Sequence, residues 1–147
     1  MSRRSFEIVV TSTAPPARVF ALISDEAGWS SWARPLIPAS RWELPGGVAP
    51  AAVGSIRLQG RRAPFMMREA VVENDPPHHH AYRIISGLPV RDYLATIDLT
   101  PTDGGTRIAW RAEFEPFPGL GLPVLALARS VVTSLARRLA RAAATRP

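Results

Sequence analysis

The sequence predicts an α+β fold in which one curved antiparallel sheet of seven strands packs against a long C-terminal helix, with two short helices after the first strand. Two observations carry this expectation. Over residues 119–146, Val124, Leu127, Ala128, Val131, Leu135 and Leu139 recur on one stripe at 3.6 residues per turn, with Arg129, Ser130, Thr133 and Arg137 opposite. So wide an apolar face needs a broad apolar partner, and the chain before it is mostly strand-like. Short β-branched or alternating runs there are divided by turn residues, while helical patterns are confined to the two ends of the run, which is the mark of the α+β class.

In chain order, residues 6–11 form a β-branched run and read as the first strand. Thr13-Ala14-Pro15-Pro16 ends it and opens a short helix, with Thr13 or Ala14 near the cap and proline tolerated in the first turn. Val19, Phe20 and Ile23 make that helix's apolar face, and it stops at Ser24-Asp25. Gly28 permits a sharp exit, and residues 29–33 read as a second helical turn because Pro35 and Pro38 prevent its extension. Residues 41–44, 53–59 and 65–73 are the next strands, separated by Pro45-Gly46-Gly47 and by the stretch 60–64. The turn Asn74-Asp75-Pro76-Pro77 leads into strands 80–86 and 92–100, which lie around Gly87-Leu88-Pro89. Asp103-Gly104-Gly105 closes a hairpin with strand 106–114. Gly119, Gly121 and Pro123 mark the start of the last helix, and a run of mostly Ala, Leu and Arg carries it on.

At 147 residues and 46% hydrophobic, the chain is long enough for one domain with a substantial core, and residues 1–147 are read as that single domain. The 15 prolines fall at element boundaries and form no tract. The absence of cysteine excludes disulfides, thiolate nucleophiles and cysteine metal sites. Basic residues near Met1 precede no apolar run of signal-peptide length, so a cytoplasmic protein is expected. The net charge of +6 is concentrated at the end: residues 119–147 hold five arginines and no acid, against 13 arginines and 12 acids before them. This basic face reads as a solvated helix surface, with membrane-surface contact the lesser alternative. Aromatics do not interleave with the arginines, so no nucleic-acid partner is expected. A membrane span is disfavoured because Arg129 would sit in its middle, at a cost of about 2.5 to 3.5 kcal/mol.

The Ala14-Pro15-Pro16 step into Val19-Phe20, the Trp29 and Trp32 pair, the Asp75-Pro76-Pro77 turn before Tyr82, and Gly104-Gly105-Thr106-Arg107 before Trp110 together resemble the START/Bet v 1-like (SRPBCC) superfamily. Within it the chain is most similar to the bacterial polyketide cyclase/dehydrase-type proteins. The resemblance implies a helix-grip fold with an apolar cavity between sheet and C-terminal helix. Its motifs are structural landmarks, so they identify a fold better than an activity.

Alternation along the strands gives the inward face: Tyr82, Ile84 and Ser86; Tyr93, Ala95, Ile97 and Leu99; Ile108, Trp110, Ala112 and Phe114. On the earlier strands Arg57 shares parity with Ser55 and Gln59, and Glu69 with Met67 and Val71. Parity alone leaves open whether Arg57 and Glu69 are a surface cross-strand pair or a buried one. Gly54-Ser55-Ile56-Arg57 and Arg68-Glu69 resemble the family's Gly-x-x-Arg and Glu segments, which implies that both point into the cavity. Such a pair would be held by mutual neutralisation, and the arginine would push the Glu69 pKa down.

Arg57, Glu69, Tyr82 and Tyr93 are thus the candidates for chemistry. The expected ligand-contacting set adds Ile84, Ile97, Ile108, Trp110 and Phe114 from the strands, and Val124, Leu127, Val131 and Leu135 from the helix. The tract His78-His79-His80 reads as an exposed turn-to-strand edge, since consecutive strand residues point to opposite faces and cannot converge on one ion. Neither a metal nor a cofactor is expected. With no nucleophile elbow, phosphate loop or HExxH, the expected function is binding of a hydrophobic small molecule (a lipid, polyketide or aromatic) as carrier or sensor, by a monomer or homodimer. The alternatives are a polyketide aromatase/cyclase-dehydrase-like enzyme and a membrane-surface lipid-exchange protein.

Overall fold

Seven strands form one antiparallel sheet in the computed structural model, in the order β1-β7-β6-β5-β4-β3-β2. The structure describes residues 3–25, 29–34, 36–37, 39–44, 53–60 and 66–145. The elements are β1 (Arg4–Ser12), α1 (Pro16–Ser24), α2 (Trp29–Ala33), β2 (Ser40–Leu44), β3 (Ile56–Gln59), β4 (Met67–Asp75), β5 (His79–Ser86), β6 (Val90–Thr102), β7 (Gly105–Pro116) and α3 (Gly121–Thr145). Gly28, Pro35, Pro38, Arg146 and the expected turn residues at 45–47 and 61–64 lie outside the described residues, as does the expected start of the fourth strand at Phe65.

Sequential hairpins place neighbours in sequence next to each other from β2 to β7, and the long reach of β1 closes onto β7 with Arg4 opposite Phe114 and Ser12 opposite Thr106. Thr102 pairs with Gly105 across the two-residue turn Asp103-Gly104, so the Asp-Gly signal sets the register of the two longest strands. Gly105 has φ +150°, and a Cβ there would collide with the backbone of Ser12 and Thr13, so this glycine lets β1 approach the hairpin. Register shifts between Arg68 and Glu69, between Val71 and Glu73, and between Arg91 and Leu94 bend the sheet around its inner face. β3 begins at Ile56 and not at residue 53, because Gly54 turns at φ +95°; its N–H nevertheless reaches Val71 O at 3.0 Å.

On β6 and β7 the inner face is filled as alternation demands, whereas on β5 Tyr82 is buried, Ile84 half-buried and Ser86, at the strand's end, exposed. Tyr93, Ala95, Ile97 and Leu99 of β6 and Ile108, Trp110, Ala112 and Phe114 of β7 are all buried, with Val19, Phe20 and Ile23 of α1 packed on them. α1 is capped by Pro15 with Pro16 in the first turn, one residue beyond the expected Ala14 and two beyond Thr13, and no side chain caps it. Thr13 and Ala14 remain in the link, where Thr106 Oγ1 donates to Ala14 O at 2.7 Å.

α3 lies across this face, anchored where Ser12 Oγ donates to Ala140 O at 2.7 Å and Arg138 Nη1 donates to Arg34 O at 2.6 Å. Its rotation differs from the expected stripe. The buried positions are Val124, Val132, Leu135, Ala136, Leu139, Ala140 and Ala143, while Val131 is half-buried and Leu127 is 58% exposed. Alanines at 136, 140 and 143 let the C-terminal half sit close on the sheet, which turns Leu127 in the first half toward the rim. Among the described residues no helix is long and apolar enough to cross a membrane.

Candidate functional site

Between the N-terminal half of α3 and the β3–β6 part of the sheet lies a cavity of about 230 Å³. Its helix side is aliphatic: Val124, Leu127, Ala128, Val131, Val132 and Leu135. Leu127 closes the rim, being both cavity-lining and solvent-exposed. Trp29 of α2, with Leu36 and Ile37 just after it, forms one end, and Leu88 and Pro89 of the β5–β6 turn form another. The sheet side supplies Ile84 and Met67 together with four polar side chains, Gln59, Glu69, Tyr82 and Tyr93.

Arg57 and Glu69 face each other across the β3–β4 ladder. Their parity with buried Ser55, Gln59 and Val71 puts them on the inner face, where Arg57 is 0% and Glu69 3% exposed. Arg57 Nε donates to Glu69 Oε1 at 2.7 Å. The guanidinium lies between two rings, its central carbon 4.4 Å from the Trp29 centroid and 4.6 Å from that of Tyr82, so aromatic faces supply part of the solvation that water would. Trp29 is held for this by its own Nε1–H, which donates to Ile23 O at 2.8 Å, and by packing against Trp32 and edge-on against Trp110. Arg57 itself is not part of the cavity wall; Glu69 is.

Burial lifts the Glu69 pKa above the ordinary carboxylate value, although Arg57 pulls it the other way. This corrects the expectation that the arginine would lower it: with the carboxyl wholly buried, lost hydration outweighs one neighbouring cation. Burial, and secondarily the Glu69 charge, raises the hydroxyls of Tyr82 and Tyr93, so both remain protonated donors at neutral pH.

Of the residues expected to contact a ligand, Glu69, Tyr82, Ile84, Tyr93, Val124, Leu127, Val131 and Leu135 line the cavity. Ile97, Ile108, Trp110 and Phe114 do not: they are buried deeper, where Trp110 backs Trp29 edge-on and Phe114 stacks on Tyr93 at 5.3 Å between centroids. Alternation identifies the inner face but not which part of it the helix leaves uncovered. Arg57 likewise belongs behind the wall, as the partner of Glu69. Gln59, Met67, Leu88, Pro89, Ile37 and Val132 were not singled out from the sequence, although the shared parity of Gln59 with Arg57 was a usable signal.

The histidine tract is a further correction. His80 is 0% exposed, with Nδ1 3.0 Å from Asn74 Oδ1 and its ring near Phe20 and Tyr82; burial and the nearby Arg57 push its pKa down to about 2, so it stays neutral. Its parity with Tyr82 and Ile84 turns it inward. His79 points to the outer face, where its Nδ1 lies 2.6 Å from Asp98 Oδ1 and the Asp98 carboxylate raises its pKa. The two histidines thus face opposite ways, and among the described residues no group of three acidic or histidine side chains could hold a metal ion.

A curved antiparallel sheet gripping a C-terminal helix over an apolar, partly polar-floored cavity defines the helix-grip, Bet v 1-like class of proteins. The chain belongs to the family described as polyketide cyclase / dehydrase and lipid transport, whose model matches residues 3–146. No curated protein sequence matches it. Similar solved structures include a protein of Nitrosospira multiformis (20% identity, TM-score 0.76, 94% of each chain covered) and norcoclaurine synthase of Thalictrum flavum, a point mutant in complex with a transition-state analogue (14%, TM-score 0.74, 97% of this chain and 94% of that one). A third is the di-domain aromatase/cyclase StfQ of the steffimycin biosynthetic pathway (15%, TM-score 0.76), of which this chain, matched over 97% of its length, covers 49%. At these identities the likeness is one of fold.

Proposed function

We propose that this protein binds a compact, mainly apolar small molecule in the cavity between α3 and the sheet, as a carrier or sensor. The observation that carries the reading is the wall itself: a continuous aliphatic surface from α3 faces a sheet side that offers a few fixed polar groups, the combination by which small-molecule sites gain affinity from area and orientation from polarity. At about 230 Å³ the cavity is smaller than the roughly 300–1,000 Å³ usual for drug-sized ligands, which favours an aromatic of one or a few rings over a long-chain lipid.

One observation favours a second reading, a cyclase- or dehydrase-like enzyme. A general base works best with a pKa near the working pH, and burial moves Glu69 upward, toward that range. Tyr82 and Tyr93, both protonated, would serve as donors to a developing oxyanion. Enzymes among the similar folds, norcoclaurine synthase and StfQ, keep this reading open. Binding is common to both readings, so it is stated first.

The test is native mass spectrometry of freshly purified protein for a retained small molecule, followed by a panel of aromatic and polyketone compounds scored by thermal shift for binding and by chromatography for turnover. Binding weakened by Val131→Arg, with no product formed, supports the carrier reading. Product formation that Glu69→Gln abolishes while binding persists replaces it with the enzyme reading. A panel without any thermal shift, on protein with no retained molecule, overturns both.

A further inference from the structure

We infer that the cavity selects a neutral ligand whose polar end is a carbonyl-type hydrogen-bond acceptor, received by the side-chain amide of Gln59, and that it discriminates against carboxylates. This rests on the binding reading above and names the ligand class for it.

Gln59 is 3% exposed, lines the cavity, and its Nε2 has no hydrogen-bond partner among the described residues. A buried amide donor left unpaired is costly, so an amide held at a cavity wall in this state is a site for an incoming acceptor. Its position follows from the ladder. Arg57 pairs with Glu69 and Gln59 with Met67, so Gln59 and Glu69 are diagonal neighbours on the same inner face, within reach of one bound group.

The charges decide the ligand's sign. The nearby cation, Arg57, is not among the residues that line the cavity: its Nε is engaged by Glu69, and the Trp29 and Tyr82 rings lie 4.4 and 4.6 Å from its central carbon. What the cavity presents is the Glu69 carboxyl, flanked by protonated Tyr82 and Tyr93. An anionic ligand would therefore meet a carboxyl and surrender its own hydration with no cation among the described wall residues to compensate. A ketone or amide carbonyl carries no such cost and takes the donor that Gln59 offers.

Three naphthalenes of similar size separate these possibilities: 2-acetonaphthone, 2-ethylnaphthalene and 2-naphthoate, titrated by calorimetry into the full-length protein. The expected order is ketone tightest, by about tenfold over the ethyl compound as one well-placed buried hydrogen bond implies, and naphthoate weakest. Gln59→Leu should reduce the ketone's advantage over the ethyl compound to less than about twofold while leaving 2-ethylnaphthalene bound at least as well, an outcome that misfolding would not produce. Gln59→Met repeats the test with an unbranched side chain, and the wild-type ranking alone decides the matter if neither variant folds. Equal binding of ketone and ethyl compound, a naphthoate that binds tightest, or a ketone preference that survives Gln59→Leu overturns the inference while the binding reading stands. Failure of all three probes to bind overturns the inference for this ligand class, and the retained-molecule and panel measurements above then decide the binding reading by themselves.

Discussion

Arg57 Nε and Glu69 Oε1 meet at 2.7 Å at a place where neither side chain reaches bulk water, and Trp29 and Tyr82 close over the arginine on both sides. The pair is thus a structural element with Glu69 in the cavity wall and Arg57 behind it, and its stability depends on both partners being present.

Removing one partner should hurt more than removing both. Arg57→Met or Glu69→Leu alone leaves a buried charge uncompensated and is expected to cost about 3–5 kcal/mol. The double variant, with two apolar side chains in the same space, should be more stable than either single one. Urea denaturation of all four proteins checks this, and additive small effects would contradict the burial of the pair.

The raised pKa of Glu69 has a definite sign in stability. The folded state holds the proton more tightly than the unfolded chain, so this group's contribution is full below its ordinary value of 4.5 and is lost as pH rises through the folded-state value. Glu69→Gln cannot titrate there. The stability of wild type relative to Glu69→Gln should therefore fall as pH climbs from about 4.5, measured by paired thermal or urea melts at each pH; a difference that grows with pH would show that Arg57 dominates instead.

His79 behaves in the same direction on the outer face. The Asp98 carboxylate, 2.6 Å from its Nδ1, raises its pKa, so the stabilisation is complete below the ordinary 6.5 and is lost as pH passes the folded-state value. Both groups are partly exposed, so the effect is small and screened by salt. Asp98→Asn should lower the imidazole titration midpoint observed by NMR; an unchanged midpoint would mean that the contact does not persist in solution.

The rotation of α3 can be tested with one residue from each side. Leu135→Asp buries a charge against the sheet and is expected to cost several kcal/mol, on the order of 3 or more. Leu127→Asp, at the exposed rim, should change stability by no more than about 0.5 kcal/mol while weakening binding of apolar compounds. Calorimetric melts of the two variants decide it, and equal losses would mean that Leu127 packs inward.

Much of the architecture was legible in residue order. Alternation through Tyr93-Leu94-Ala95-Thr96-Ile97 and Ile108-Ala109-Trp110-Arg111-Ala112 assigns the inner face of the two longest strands, because a period of two leaves no freedom once one face is apolar. Asp103-Gly104 locates their hairpin, and the Ala-, Leu- and Arg-rich ending signals the length of α3. These are local properties, carried by backbone geometry and by neighbours in sequence.

What tertiary structure alone decided is where the inner face is left uncovered and how deep each polar group lies. The rotation of α3 was hidden because Ala136, Ala140 and Ala143 contrast little with either face; only the close approach of the sheet at one end of the helix and the cavity at the other distinguishes Ala140 from Leu127. The same holds for Ile97, Ile108, Trp110 and Phe114, which share the parity of the cavity residues yet sit behind them. Glu69 makes the distinction sharpest: its pairing with Arg57 follows from strand parity, but the direction of its pKa does not, because hydration is lost to the whole three-dimensional surroundings and not to any one partner.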